Sequence, residues 1–113
     1  MVGKTLQKLD KISYRLRNET LTNLVRELAI STSNIVISQH AEDRMYERDI
    51  DYNTVLKILR TGEINYEETD ERGDSVVRAT KNVVSNREAS VVTAVVDQKK
   101  KLILITVMWE DPK

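Results

Sequence analysis

The stretch ASVVTAVVDQKKKLILITVMW, residues 89–109, decides the fold class of this chain. Two runs rich in β-branched residues flank the polar segment DQKKK, which is the pattern of two antiparallel strands joined by a turn. Both runs are apolar at almost every position, as expected for strands at the centre of a sheet. We therefore predict strands over 89–97 and 102–109, with Thr93 opposite Thr106 because matched threonines stabilise a sheet.

A second hairpin precedes these strands. The runs EINYEET, residues 63–69, and SVVRAT, residues 75–80, flank the turn sequence DERGD. With Arg72 and Gly73 at the tip of the turn, Glu67 lies opposite Arg78, which gives this hairpin one polar face. The chain is thus expected to end in four antiparallel strands.

Residues before Gly62 follow a helical period instead. Between residues 5 and 30, apolar side chains recur at spacings of three and four, including Leu6, Leu9 and Ile12, which predicts an amphipathic helix. The polar segment RNET could divide it. Ser38 and Asp51 are good N-caps for two further short helices.

The length and composition of the chain limit its domain count and fold class. A chain of 113 residues is expected to form a single domain, residues 1–113, with a helical part over 5–61 and an antiparallel sheet over 63–109. The predicted fold class is α+β, with N-terminal helices packed on a four-stranded antiparallel sheet. Lys plus Arg and Asp plus Glu each total 18, so any nucleic-acid contact must come from local clusters of basic residues.

The composition also limits cofactors and location. There is no cysteine and a single histidine, which excludes a thiolate or His-rich metal site, so neither a metal nor another cofactor is expected. The N-terminal MVGKTLQKLDKI lacks the apolar segment of a signal peptide, and no apolar run approaches the length that crosses a bilayer. We expect a cytoplasmic protein with no membrane partner.

The chemistry is concentrated in SQHAEDRMYERDIDYNTV, residues 38–55. It contains the only histidine, His40, followed by Arg44 and Arg48. Residues four apart stand one above another on a helix, so these three form a row. Two guanidiniums can bind a phosphate, and an imidazole can transfer a proton near neutral pH. The row therefore suits metal-free cleavage of RNA, in which the ribose 2′-hydroxyl attacks its own phosphate.

A simpler interpretation of the row stays open. Acidic residues surround the arginines, so the row could be a solvent-facing surface crossed by salt bridges. Trp109 and the four tyrosines could stack on bases or could complete the core.

The same run resembles the S-Q-H-x-x-x-R-x-x-x-R-x-I-D signature of the RegB-type phage endoribonucleases. That family is similar to the RelE and YoeB mRNA-cleaving toxins, in which helices pack on an antiparallel sheet. The resemblance implies that His40 is the catalytic acid or base, that Arg44 is the catalytic arginine and that Arg48 is a further cation of the site. Continued without gaps, it places Arg60 where the family has a second histidine, and an arginine stays protonated near neutral pH.

Residues of the predicted sheet could complete such a site. The candidates are Tyr66, Glu67, Arg78 and Thr80, and Glu67 is the one whose pKa could be tuned for a base. Arg48, Arg60 and Arg78 are the candidates for binding the RNA phosphates.

The resemblance implies a RegB-like, metal-independent endoribonuclease that cleaves mRNA, free or on the ribosome, and leaves a 2′,3′-cyclic phosphate. If the protein is phage-encoded, it would act in the host cytoplasm. One alternative is a non-catalytic regulator on the same scaffold that binds RNA or a host protein, which the missing second histidine favours. Another is a toxin of a toxin–antitoxin pair, with an antitoxin as partner.

Overall fold

The computed structural model describes the backbone of residues 2–111 and the side chains of residues 16–111. In chain order, the elements are α1 (Val2–Ala29), β1 (Ile35–Ile37), α2 (Gln39–Arg48), α3 (Tyr52–Thr61), β2 (Glu63–Thr69), β3 (Ser75–Val84), β4 (Arg87–Val96) and β5 (Lys101–Trp109). Within this part of the chain, none of the helices combines the length and the apolar character needed to span a membrane.

The helices begin and end for local reasons. The side chain of Ser38 accepts a hydrogen bond from the Ala41 N–H, and that of Asp51 accepts one from Thr54, which confirms both predicted N-caps. Gly62 follows α3 where a Cβ atom would lie 2.6 Å from the Ile58 carbonyl oxygen, so no larger residue fits there without movement.

Helix α1 is continuous through the RNET segment, because its regular hydrogen bonding passes this polar stretch without a break. The structure thus shows one helix where the sequence allowed for two. The predicted apolar side chains Leu6, Leu9 and Ile12 lie outside the described side chains.

The sheet has five strands in the order β1-β5-β4-β3-β2. The four predicted strands are β2 to β5, and each pairs with its neighbour in antiparallel fashion. The prediction of a purely antiparallel, four-stranded sheet is corrected by β1, which pairs with β5 in parallel. β1 lies inside the segment expected to be helical. It is only three residues long, and its partner β5 is distant in sequence, so the sequence contains no turn that would predict this pairing.

Both predicted strand registers differ from those in the structure. The turn between β4 and β5 occupies residues 97–100, one residue earlier than predicted, so Thr93 pairs with Leu104 and the predicted pairing with Thr106 is wrong. Ile105 is an extra residue in β5, and it lies beyond that pair as counted from the turn. In β2 the register shifts around Glu67, so Asn65, and not Glu67, pairs with Arg78. The first pair was misplaced by the position of the turn, whereas a bulge, which adds one residue to one strand only, contributes to the shift of the second pair.

The three helices cover one face of the sheet and enclose the main core. Its largest fully buried apolar side chains come from α1, α3 and the inner strands: Val25, Val55, Ile58, Leu59, Val77, Val91, Leu102, Leu104 and Val107. Alternate residues of the strands point to the opposite face, where a smaller apolar cluster of Val76, Ala94 and Val96 lies. Farther along the strands, that opposite face becomes polar around Arg78.

Candidate nucleic-acid interface

Helix α2 is fixed along β5 at both ends. At its start, the Ser38 N–H donates to the Leu104 carbonyl oxygen at 3.4 Å. At its end, Arg48 Nη1 donates to the Val107 carbonyl oxygen at 2.6 Å, and the indole Nε1 of Trp109 donates to the Arg48 carbonyl oxygen at 2.7 Å. These bonds position α2 beside the part of β5 that the short strand β1 does not reach.

His40, Arg44 and Arg48 lie on this one helix, as the sequence predicted. The side chain of His40 is exposed in the first turn and forms no hydrogen bond or ion pair with any other residue that the structure describes. Arg44 and Arg48 are half-buried. The row therefore presents an accessible imidazole followed by two guanidiniums.

The salt-bridge interpretation of the row holds for one residue. Arg44 Nη1 lies 3.1 Å from a carboxylate oxygen of Glu47, whereas Arg44 Nε is buried and has no acceptor among the described atoms. Arg48 has no carboxylate partner in the described part of the chain, because its bond goes to a neutral backbone carbonyl. Although acidic residues lie near Arg48 in the sequence, none of those described pairs with its guanidinium.

Arg60, predicted to bind phosphate, lies at the junction of two helices. Its Nε donates to the Ala29 carbonyl oxygen at 2.8 Å and its Nη2 to that of Ile30 at 3.3 Å, so it caps the end of α1. Arg26 of α1 does the same for α3, donating to the carbonyl oxygens of Leu59 and Gly62. The two arginines cap each other's helices, and Arg60 is engaged in that contact.

Arg78 is the centre of a charged cluster on the polar part of the uncovered face. Its guanidinium lies 2.6 Å from a Glu110 oxygen and 3.4 Å from a Glu67 oxygen. Despite partial burial, the hydrogen bond to Glu110 and the charge of Glu67 raise the pKa of Arg78. Two carboxylates face one guanidinium, so this predicted phosphate ligand and the predicted base Glu67 neutralise each other.

The rest of this cluster is held by hydroxyl groups. A hydrogen bond from the Ser90 hydroxyl, together with Arg78, lowers the pKa of Glu110. The hydroxyls of Thr80 and Ser90 lie 2.7 Å apart. Tyr66, proposed from sequence beside Glu67, packs against the main core on the other face, where its ring lies 4.4 Å from the guanidinium carbon of Arg17.

A cavity of about 470 Å³ lies where α2 ends against β5. It is lined by Arg48, Arg87, Thr106, Met108, Trp109 and Asp111. The guanidinium carbon of Arg87 lies 4.0 Å from the centre of an indole ring of Trp109, and Arg87 Nε lies 3.1 Å from an Asp111 oxygen. Arg48 thus belongs both to the α2 row and to a cavity wall.

The structure therefore brings only some of the predicted site residues together. His40, Arg44 and Arg48 share α2, and Met108 connects the cavity to the charged cluster, since Arg78 Nη1 lies 3.3 Å from its sulfur. Sequence reasoning missed Arg87, at the start of β4, which lies over the ring of Trp109, and Asp111, beyond β5, whose carboxylate binds Arg87. Nothing in the local sequence pattern marks these two residues.

Among the described residues, no group of three or more His, Asp and Glu side chains could hold a metal ion.

A family model described as "Domain of unknown function (DUF4258)" matches residues 37–109, well over half of the 113 residues. The chain belongs to this family. The DUF4258 segment runs from the last residue of β1 to the end of β5, so it contains the α2 row and most of the cavity lining. It leaves out α1, although Val25 and Leu28 of α1 are buried in the main core. No curated protein and no solved structure matches the chain.

Proposed function

We propose that this protein is a metal-independent endoribonuclease that cleaves mRNA on the surface formed by α2 and the adjoining cavity. The observation that carries the proposal is the arrangement on α2. His40 is exposed and free of partners among the described residues, and Arg44 and Arg48 follow it one and two turns later. The charge of Arg48 is not compensated there by any carboxylate. An accessible imidazole beside two guanidiniums, of which Arg48 has no carboxylate partner among the described residues, suits attack within a phosphodiester.

In the proposed reaction, His40 accepts the proton of a ribose 2′-hydroxyl. The 2′-oxygen then forms a bond to the adjacent phosphorus, and the bond from phosphorus to the 5′-oxygen breaks. The leaving 5′-oxygen takes a proton from water, which gives a 2′,3′-cyclic phosphate and a 5′-hydroxyl. Arg44 stabilises the negative charge that builds up on the non-bridging oxygens, and Arg48 orients the RNA backbone by binding a neighbouring phosphate.

The arrangement of elements supports a RelE- or RegB-like fold as part of this proposal. Helices cover one face of a sheet whose four long strands are antiparallel, in the order that the resemblance implies. The substrate would place the protein in the cytoplasm, that of the host if a phage encodes it.

A second candidate function is a non-catalytic regulator that binds RNA through the same surface. The observation that favours it is the position of Arg60. The resembled family has a second histidine there, whereas here an arginine caps α1. Among the described residues, no second side chain that could transfer a proton forms a hydrogen bond or ion pair with His40, and binding without cleavage needs none.

Single-turnover cleavage of a defined RNA, in EDTA and with and without ribosomes, separates the two candidates. We expect His40→Ala to lower the cleavage rate by a factor of about 10² to 10⁴ while RNA binding is retained, because a proton-transfer group is lost. Arg44→Ala should weaken both binding and rate, and Arg44→Lys should restore neither fully, because a planar fork is replaced by a point charge. Arg72→Ala, at an exposed arginine of the β2–β3 turn, is the matched control.

Melting curves of each variant accompany the kinetics, so that loss of folding is not mistaken for loss of chemistry. Cleavage by His40→Ala at the wild-type rate would remove the histidine from the mechanism. Binding of RNA by the wild type without cleavage on or off the ribosome would favour the regulator. If neither binding nor cleavage occurs, both candidates are wrong.

A further inference from the structure

We propose that the cavity at the end of β5 binds one nucleotide of single-stranded RNA, with its phosphate on Arg48 and its base stacked on the guanidinium of Arg87. The choice of RNA as the ligand rests on the function proposed above. The cavity volume of about 470 Å³ lies within the range of about 300 to 1,000 Å³ that is typical of small-molecule sites.

Arg87 provides a fixed planar surface. Its guanidinium lies over the indole of Trp109, and two of its nitrogens lie 3.1 and 3.4 Å from the carboxylate oxygens of Asp111. The indole holds one face of the plane and the carboxylate holds an edge. The side chain of Arg87 is 42 % exposed, which leaves surface on which a base could stack. Unstacked RNA bases bind to arginine planes of this kind.

Arg48 provides the charge. Asp111 compensates Arg87, whereas Arg48 donates to the neutral carbonyl of Val107 and has no carboxylate partner among the described residues. The charge of the cavity lining is therefore positive at the Arg48 wall. A guanidinium with unused N–H groups binds phosphate by charge-assisted hydrogen bonds.

The position of Arg48 also relates the cavity to the proposed cleavage site. Arg48 is one turn beyond Arg44 and two turns beyond His40 on the same helix. An RNA strand along α2 that places one phosphate at His40 and Arg44 can place a neighbouring nucleotide in the cavity. The cavity would then hold a base beside the cleaved bond and would contribute to the choice of cleavage site.

Trp109 supplies the readout, because it is the only tryptophan of the chain and its ring forms part of the cavity wall. The full chain is titrated with nucleoside 5′-monophosphates, with the corresponding nucleosides and with inorganic phosphate, and indole fluorescence is followed. We expect saturable quenching by the monophosphates with a Kd about tenfold lower than that of the nucleosides. Inorganic phosphate should compete with the monophosphates but should not quench to the same extent.

Two variants test the two halves of the site. Arg48→Gln should remove the advantage of a monophosphate over its nucleoside and leave nucleoside binding unchanged. Arg87→Leu should weaken nucleoside binding about tenfold, because leucine covers the indole without offering a planar surface. Arg72→Gln, far from the cavity on the β2–β3 turn, should change neither affinity. Melting curves identify any variant that does not fold.

The inference is overturned if monophosphates and nucleosides bind the folded wild type with equal affinity, or if nothing quenches Trp109. An unchanged preference in folded Arg48→Gln overturns it as well. These results are independent of cleavage. If RNA is cut while no nucleotide binds near Trp109, the nuclease proposal stands and the cavity assignment is wrong. If nucleotides bind as expected but no RNA is cut, the assignment stands and the nuclease proposal is wrong.

Discussion

Arg60 donates two hydrogen bonds to carbonyl oxygens at the end of α1, those of Ala29 and Ile30. The last carbonyls of a helix have no partner within it and carry the negative end of its dipole, so a cation there is stabilising. We expect Arg60→Ala to lower the free energy of unfolding by about 1 kcal/mol. The cleavage rate of the folded protein should not change, because the side chain is engaged away from α2. Urea unfolding and single-turnover cleavage measure the two effects.

The partner variant Arg60→His restores the histidine of the resembled family at the aligned position. We expect no gain in cleavage rate, because position 60 faces the end of α1. A large increase in rate with Arg60→His would show that position 60 contributes to the site after all. A loss of cleavage in Arg60→Ala without a loss of stability would lead to the same conclusion.

The comparison of Arg60 with the α2 row shows which features of the site can be predicted from sequence. His40, Arg44 and Arg48 were placed in one row correctly, because their relation depends only on helix geometry and on the local cap at Ser38. The environment of Arg60 could not be predicted, because its partners lie about thirty residues away in the chain. A charged side chain acquires its role from neighbours that only the tertiary fold supplies.

At the level of elements, the strands were predicted well and their registers were not. Long apolar runs and turn residues located β2 to β5, since both signals are local. The short parallel strand β1 and the bulges at Glu67 and Ile105 left no such signal. The bulge in β2 still leaves Glu67 within 3.4 Å of Arg78, although Asn65 takes the paired position. The predicted contact between Glu67 and Arg78 therefore exists, although these two residues are not paired in the backbone register.

The cluster around Glu110 connects the end of β5 to β3 and β4, and it should make stability depend on pH. Glu110 accepts hydrogen bonds from Ser90 and Arg78, which lower its pKa in the folded protein. A carboxylate with a lowered folded-state pKa stabilises the fold above its unfolded-state pKa, which is about 4.3 for glutamate. That contribution is lost as the pH falls through the folded-state pKa.

We therefore expect Glu110→Gln to lower the free energy of unfolding by about 1 kcal/mol at pH 7, and the difference from the wild type to shrink below about pH 4. Urea unfolding of both proteins between pH 3 and pH 7 tests this. Glu88→Gln, at an exposed glutamate of β4, is the control and should track the wild type. A difference that stays constant down to pH 3 would mean that the Glu110 carboxylate charge does not stabilise the fold.

At the scale of the whole molecule, α1 lies outside the DUF4258 segment but completes its core. Leu21, Val25 and Leu28 are at most 7 % exposed and pack with buried residues of α3 and the sheet. Burying one side chain of this size stabilises a fold by about 1.5 to 3 kcal/mol. Three of them together approach the total stability of a typical domain, about 5 to 15 kcal/mol. Arg26 adds its hydrogen bonds to the end of α3.

We expect, for that reason, that a chain restricted to residues 31–113 does not fold on its own. Its amide spectrum in ¹H–¹⁵N NMR should show the narrow dispersion of an unfolded chain, whereas the full chain should give well-separated peaks. Val25→Asp in the full chain should have a similar effect, because it places a charge at a fully buried position. Asn23→Asp introduces the same carboxylate at an exposed position of α1 and should leave the spectrum intact. A well-dispersed spectrum from residues 31–113 would instead make the DUF4258 segment an independent domain, and α1 would then be an addition that the core can lose.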